Sequence, residues 1–348
     1  MDTKRRESMW TPPQLVEELK KLVIGQDEYL EDLCTTIWMQ AMKQRIYEET
    51  GIRFTDPKLN MLVVGKSGSG KTSTIRALAK LLDLPVVEED ASMFTGTGWR
   101  GRDVSSIIQD IISFEEDPAR IDYSIVVLDE IDKIIGCQVA DSTFYAINNF
   151  LKMMDGTFIR HGEGGRDYCM NTSTLLFICI GAFDGLENII RKRLYKQKQI
   201  GFALSEKEPE PKNLLRYATR EDLIAYGVNP QFLGRISTLT VMNPLGVPEY
   251  ERILTEAKDS IVCQYDKLLE AALGVRVSLT AAAAHEIAKR AEHSKEGART
   301  LAQEVTQELK SGIYHASTEE NVKEICLDAQ DGQLVLTYTR QEHEEMGL

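Results

Sequence analysis

Apolar positions along the 348-residue chain follow two different rhythms, one before Pro244 and one after it. In the first part, Leu15, Leu19 and Leu22 recur at helical spacing behind Thr11, a candidate N-cap with prolines in the first turn. They predict a helix over about 13–23. A second helical pattern covers about 29–48. Five runs follow, "LNMLVVG", "LPVVEED", "YSIVVLDE", "TSTLLFICIG" and "ISTLTVMN", each short, apolar and rich in β-branched residues, with helical segments between them. Runs of this kind read as strands buried on both faces. Their alternation with helices predicts an α/β fold, a mostly parallel sheet between helices.

After Pro244 the rhythm turns helical. "PEYERILTEAKDSIVCQYDKLLEAAL" reads as one long helix, "VRVSL" as a short strand, and "TAAAAHEIAKRAEH" and "GARTLAQEVTQELKSGIY" as further helices. "VKEICLD" and "QLVLTYT" read as a strand pair around "DAQDGQ". The predicted organisation is a polar tail over 1–12, a large α/β domain over 13–244, a smaller helix-rich α+β domain over 245–340 and an acidic tail over 341–348. One stretch resists the pattern. "YKQKQIGFALSEKEPEPK" (195–212) has the composition of a solvated loop, yet carries the apolar triplet Ile200, Gly201 and Phe202, with no periodic neighbours to join in a core.

Composition narrows the class. With 43% hydrophobic and 27% charged residues the chain can build a real core, and a net charge of −13 argues against broad non-specific nucleic-acid binding. None of the six cysteines sits in a C-x-x-C pair, so zinc-site spacing is absent, and several lie in apolar runs, as suits a reducing cytoplasm. The most apolar run, 175–183, is too short to span a bilayer, and no apolar stretch follows the charged N-terminus as a secretory signal would require.

The chemistry sits in "GKSGSGKT", Gly65 to Thr72, between the strand "LNMLVV" and the helix "TSTIRALAKLL". This is the context a phosphate-binding loop requires. Backbone N–H groups of Lys66, Ser67, Gly68, Ser69, Gly70, Lys71, Thr72 and Ser73 can turn around phosphate oxygens at a helix N-terminus. Lys71 can reach the β- and γ-phosphates of ATP, and the Thr72 hydroxyl is placed for Mg²⁺. "SIVVLDEIDK" adds a buried-type strand ending in Asp129 and Glu130. The strand-end carboxylate can hold Mg²⁺ through its waters, and its neighbour can polarise a water for in-line attack.

From these motifs the chain is identified as similar to the AAA+ ATPases of the Clp/Hsp100 group, in particular the ClpX-like unfoldases, from about Thr11 to Thr339. "LVIGQDEYLEDL" resembles the family's VIGQ box, which implies adenine contacts from Val23 and Ile24. "GVNPQFLGRI" resembles the arginine-finger segment and "EGARTL" the sensor-2 motif. The resemblance implies a homo-hexamer with ATP between subunits. Arg235 would enter the neighbour's site, and Arg299 would reach the nucleotide of its own subunit. Trp99 matches the aromatic of the pore loop that grips unfolded or tagged polypeptides. Ile200, Gly201 and Phe202 stand where the family carries its docking tripeptide for a ClpP-type peptidase.

Departures from the family are informative. Arg100 replaces the usual aliphatic residue beside Trp99, and Arg102 follows, which would place a basic collar in the channel and favour acidic or less hydrophobic substrate segments. The family's zinc-binding N-terminal domain has no counterpart. "GCQVADSTF" is shorter than a second pore loop, and "RHGEGGRD" keeps Arg160, His161 and Arg166 where the family has a basic pore-entrance loop. "LLFICIGAFDGL" resembles the sensor-1 strand but offers no polar residue at Ile180 or Gly181. The resemblance implies an ATPase that unfolds proteins, with no peptidase chemistry of its own, no nucleic-acid partner and no membrane. A stand-alone remodelling chaperone, a nucleotide-gated regulatory protein and an HslU-like motor remain alternatives.

Overall fold

The computed structural model describes residues 10–66, 68–94, 106–135, 141–163, 166–200, 213–294, 296–319 and 321–340, with the backbone alone at 141–146, 160–163, 166–169 and 196–200. The chain divides into two compact units. The first is formed by the described parts of Met1–Leu19, Gln26–Lys66 and Lys71–Asn243, the second by those of Lys20–Gly25, Ser67–Gly70 and Pro244–Leu348.

The first unit holds helices α1 (Pro12–Leu19), α2 (Asp27–Thr50), α3 (Lys71–Leu81), α4 (Ser106–Phe114), α5 (Pro118–Asp122), α6 (Asp132–Ile135), α7 (Asp141–Asp155), α8 (Leu186–Ile200), α9 (Arg220–Tyr226) and α10 (Pro230–Leu233). Its strands are β1 (Met61–Val64), β2 (Val86–Asp90), β3 (Ile125–Asp129), β4 (Phe158–Glu163), β5 (Arg166–Asn171), β6 (Leu176–Gly181) and β7 (Thr238–Val241). The five predicted runs form one sheet of order β2-β3-β6-β1-β7, every pair parallel. Successive side chains of a strand point to opposite faces. Leu62, Val64, Val126, Leu128, Phe177 and Cys179 join a core with Ile107, Ile111, Phe150 and Met154, while Met61, Val63, Val127 and Ile178 are fully buried on the other face. Helices therefore cover both sides. Among the described residues no helix is long and apolar enough to cross a membrane.

The second unit contains α11 (Val247–Thr255), α12 (Ile261–Leu273), α13 (Ala281–His293) and α14 (Ala298–Thr318), with β8 (Arg276–Leu279), β9 (Val322–Gln330) and β10 (Gln333–Arg340). The sheet order is β10-β9-β8, β8 pairing parallel and β10 antiparallel to β9. Asp331 and Gly332 both take positive φ (52° and 77°), the backbone a two-residue hairpin loop needs. Leu269, Ile287, Leu301, Val305, Leu309 and Ile325 form a separate core.

Four local expectations change. The first helix stops at Leu19, leaving Leu22 half-buried outside it. The long helix after Pro244 is two, because Ser260 turns extended (φ −57°, ψ 149°) and its hydroxyl caps α12 by accepting from the Cys263 N–H at 3.1 Å. Of "RHGEGGRD", residues 160–163 belong to β4 and 166–167 to β5, an antiparallel pair that joins no other strand among the described residues. Residues 195–200 are helical, the last part of α8, and not loop.

Candidate active site

Because the central sheet is parallel, the carboxyl ends of β1, β3 and β6 meet at one edge, with Val64 beside Gly181 and Leu128 beside Cys179. Ligands of open α/β sheets bind outside that edge. The loop leaving β1 is tied there by the Gly65 N–H donating to the Gly181 carbonyl (3.1 Å). Gly68 and Gly70 take φ of +74° and +90°, which turns the chain into a tight cradle that side-chain-bearing residues rarely adopt.

The Lys71 side chain, 8% exposed, curls back so that Nζ donates to the carbonyls of Gly65 (2.6 Å) and Lys66 (2.7 Å). Its ammonium is thus held inside the loop that a triphosphate would occupy. From α2, the buried Tyr29 hydroxyl donates to the Lys71 carbonyl at 3.0 Å, fixing the start of α3; burial pushes that phenol well above its ordinary pKa. Lys66, at the loop's outer side, sits 3.8 Å from Glu187. Ser73 follows Thr72 in the first turn of α3.

At the end of β3, Asp129 accepts from the Thr72 hydroxyl (3.1 Å) through Oδ2 and from the Glu130 N–H (2.8 Å) through Oδ1. One hydroxyl and one carboxylate, hard oxygen donors, share a point beside the phosphate loop, the donor set Mg²⁺ takes with phosphate oxygens and waters. The residues present fit both groups. Glu130 takes φ +55°, an unfavourable backbone region for a residue with a side chain, and the flanking Ile131 N–H donates to the Ile180 carbonyl (2.9 Å). The turn aims the Glu130 carboxylate outward, where it pairs with Lys133 one helical turn later. Gly181 has Asp132 in the place of a polar neighbour: Asp132 Oδ2 accepts from the Phe183 N–H at 3.2 Å. A β carbon at Gly181 would come within 2.8 Å of the Asp132 carboxylate and 2.5 Å of the Phe183 ring.

Arg235 lies elsewhere. It follows α10 and precedes β7, and its carbonyl accepts from Asn60 Nδ2 (3.2 Å), just before β1. This is the amino edge of the sheet, a full strand away from Gly65. At about 3.3 Å per residue the four residues of β1 span about 13 Å, beyond the reach of an arginine side chain. Arg235 instead forms a fork with Asp155, Nε donating to Oδ1 at 2.7 Å and Nη2 to Oδ2, while Nη1 donates to the Gln231 carbonyl at 2.6 Å.

In the second unit, Arg299 is exposed in the first turn of α14 and makes no side-chain bond among the described residues. Val23 is half-buried and Ile24 buried, in the segment between α1 and α2. Thus Lys71, Thr72, Asp129 and Glu130 come together and Arg235 stands apart. Ser67, Trp99, Arg100, Arg102, Gly201 and Phe202 lie outside the described residues, and Ile200 is the last residue of α8. Lys133 was readable as an i,i+3 partner of Glu130 in "DEIDK"; Tyr29, Asn60 and Asp155 carried no local signal.

A phosphate loop between β1 and α3, with paired acids closing β3, the next strand but one in the sheet, defines a P-loop nucleotide-binding domain. The family model described as "AAA domain (Cdc48 subfamily)" matches residues 56–239. Among curated relatives, the ATP-dependent Clp protease ATP-binding subunit ClpX of Porphyromonas gingivalis is 32% identical over 85% of this chain and 75% of its own. Proteins of the same name from Bacteroides thetaiotaomicron (30%, covering 97% and 83%) and Borrelia duttonii (33%, covering 91% and 77%) are similar to it. The chain belongs to the ClpX family of AAA proteins.

Proposed function

We propose that the chain is the ATPase subunit of a cytoplasmic homo-hexameric unfoldase. In this reading it threads tagged or unfolded polypeptides through a central pore and delivers them to a ClpP-type peptidase. The relatives' names as ATP-binding subunits of a Clp protease support the partner and the substrate ATP. The observation that carries the assembly is the position of Arg235. A cation at the amino edge of the sheet cannot serve the phosphate loop at the carboxyl edge of the same subunit, but it can serve a neighbour's. Rings that place this edge against the next subunit's loop complete one site at every interface.

The chain's own groups then divide the work. Lys71 exchanges the Gly65 and Lys66 carbonyls for β- and γ-phosphate oxygens. Thr72 and Asp129 would hold Mg²⁺, partly through water; the ion supplies charge neutralisation to the phosphates when bound. Glu130 leaves Lys133 and accepts the hydrogen bond of the attacking water, aligning it with the γ-phosphorus. Arg235 of the neighbour stabilises charge on the transferring phosphoryl group. Arg299 answers from the small domain, Val23 and Ile24 flank the adenine, and the backbone of residues 66–73 holds the phosphates. Trp99 and Arg100 grip the polypeptide, and Ile200, Gly201 and Phe202 dock the peptidase.

The test mixes the protein, ATP, a ClpP-type peptidase and a tagged fluorescent substrate. ATP-dependent loss of fluorescence with degradation is expected, and deleting Ile200 to Phe202 should abolish degradation while sparing ATP hydrolysis. Loss of fluorescence without degradation would identify a free-standing chaperone. An absence of turnover in the intact protein would identify a nucleotide-gated switch.

A further inference from the structure

The Arg235 guanidinium is not a loose side chain awaiting a partner. We propose that Asp155 is a positioning residue for Arg235, presetting it for the nucleotide of a neighbouring subunit; this rests on the trans role of Arg235 proposed above. The carboxylate binds the guanidinium side-on, through Nε and Nη2, and the Gln231 carbonyl takes one Nη1 proton. One N–H on each terminal nitrogen makes no bond among the described residues. These two N–H groups remain to donate to phosphate oxygens. The side-on pair thus fixes the plane of the cation and leaves N–H donors over for a phosphate.

Both partners are anchored. On the arginine side, the buried Asn60 donates to the Arg235 carbonyl and accepts from the Phe177 N–H of β6 (3.2 Å each), while the Arg235 N–H donates to Phe232. On the aspartate side, α7 ends at Gly156 with φ +103°, where a β carbon would lie 2.7 Å from that of Ser173. The Gly156 N–H donates to the Lys152 and Met153 carbonyls. The Thr172 hydroxyl accepts from the Thr157 N–H and donates to the Met153 carbonyl, both at 2.9 Å. Asp155 is therefore presented by a turn whose backbone is fixed on either side of it.

The physical gain is preorganisation. A free arginine gives up side-chain rotamer entropy when it is immobilised. Here most of that loss occurs in folding, before any neighbour or nucleotide arrives. The Asp155 side chain is 54% exposed, so its hold in water is modest and does not outbid a triphosphate. Lys58, whose amine donates to the Ser173 carbonyl at 2.9 Å, lies within the electrostatic reach of Asp155. Without the carboxylate, Arg235 would be left with a second cation nearby and no fork.

The experiment measures ATP turnover and nucleotide affinity of the assembled full chain carrying Asp155→Asn, Asp155→Glu, Arg235→Lys, Arg235→Ala or Asp155→Asn with Arg235→Lys. Asp155→Asn should lower kcat about tenfold with ATP affinity within about twofold, and Asp155→Glu should recover part of the loss. In the Arg235→Lys background, where no fork can form, Asp155→Asn should add less than about twofold. Turnover of Asp155→Asn within about twofold of the parent overturns the proposal, as does a full tenfold further loss in the lysine background. Should the asparagine variant not assemble, Asp155→Ser is read by the same criteria. Parental turnover in Arg235→Ala overturns the trans role itself, a failure distinguishable from that of Asp155.

Discussion

The Thr72 hydroxyl donates to the Asp129 carboxylate across 3.1 Å, so the first turn of α3 and the end of β3 are joined by the two side chains proposed to hold one metal ion. Thr72→Val removes the hydroxyl and leaves the carboxylate. Titration with a fluorescent ATP analogue in Mg²⁺ should show affinity weakened about tenfold. With Mg²⁺ chelated the variant and the parent should bind alike, since the lost ligand then has nothing to hold. A deficit that persists without Mg²⁺ would show that Thr72 serves the loop's fold instead.

Glu130→Gln keeps the shape of the side chain and removes its basicity. Turnover should fall by at least about a hundredfold while nucleotide affinity stays within about threefold of the parent, read by steady-state hydrolysis and the same titration. Lys133→Met should not share this fate. It frees Glu130 from its resting partner and should leave turnover within a few-fold.

Asn60 is 1% exposed and ties three strand beginnings together. Its amide meets Phe177 of β6 and Arg235, and its own carbonyl accepts from the Ser237 N–H (2.8 Å) ahead of β7. Asn60→Leu takes its partner from the buried Phe177 N–H and from the part-buried Arg235 carbonyl. A loss of about 2–4 kcal/mol is expected in urea unfolding of the first unit.

Gly156→Ala should destabilise by about 2–3 kcal/mol, read as a lower midpoint in the same urea unfolding. It combines a positive-φ penalty with a collision at Ser173. Gly185, also at positive φ (93°) but with nothing within 4 Å of an added β carbon, is the control. Ala there should cost about 1 kcal/mol.

Burial pushes the Cys34 and Cys179 thiols up to about 12. The folded protein therefore keeps both protons where the unfolded chain, with thiols near pKa 8.5, loses them. Their contribution to stability is complete below about pH 8.5 and is lost as pH rises toward 12. At pH 8.5, iodoacetamide should modify both cysteines at least about a hundredfold more slowly in buffer than in urea, as peptide mass spectrometry would show.

Much of this was legible in the sequence, and the reasons are physical. The five sheet strands announce themselves because a strand buried on both faces can carry only apolar residues, as "SIVVLD" does. The phosphate loop is legible because its function needs particular atoms at fixed spacing. The break at Ser260 was hidden, since apolar residues continue at helical spacing on both sides and no Gly or Pro marks the stop. The β4–β5 pair was hidden because, among the described residues, its strands pair only with each other, which frees them from the apolar pattern. The Arg235–Asp155 fork joins two ordinary surface-type residues far apart in the chain, and only the fold brings them together.

The strand order has a consequence for synthesis. Among the described residues β1, which launches the phosphate loop, pairs with β6 (residues 176–181) and β7 (238–241) and with no strand nearer in sequence. A ribosome-bound chain that stops before residue 176 carries the complete loop and both halves of its motif, yet has no sheet to hold β1. Nucleotide affinity should thus arise late, once residue 241 has cleared the exit tunnel and β1 has gained both neighbours. From that moment ATP also acts as a ligand of the folded state alone and draws the domain toward completion. The nascent chain should gain its nucleotide site only when the parallel sheet is complete.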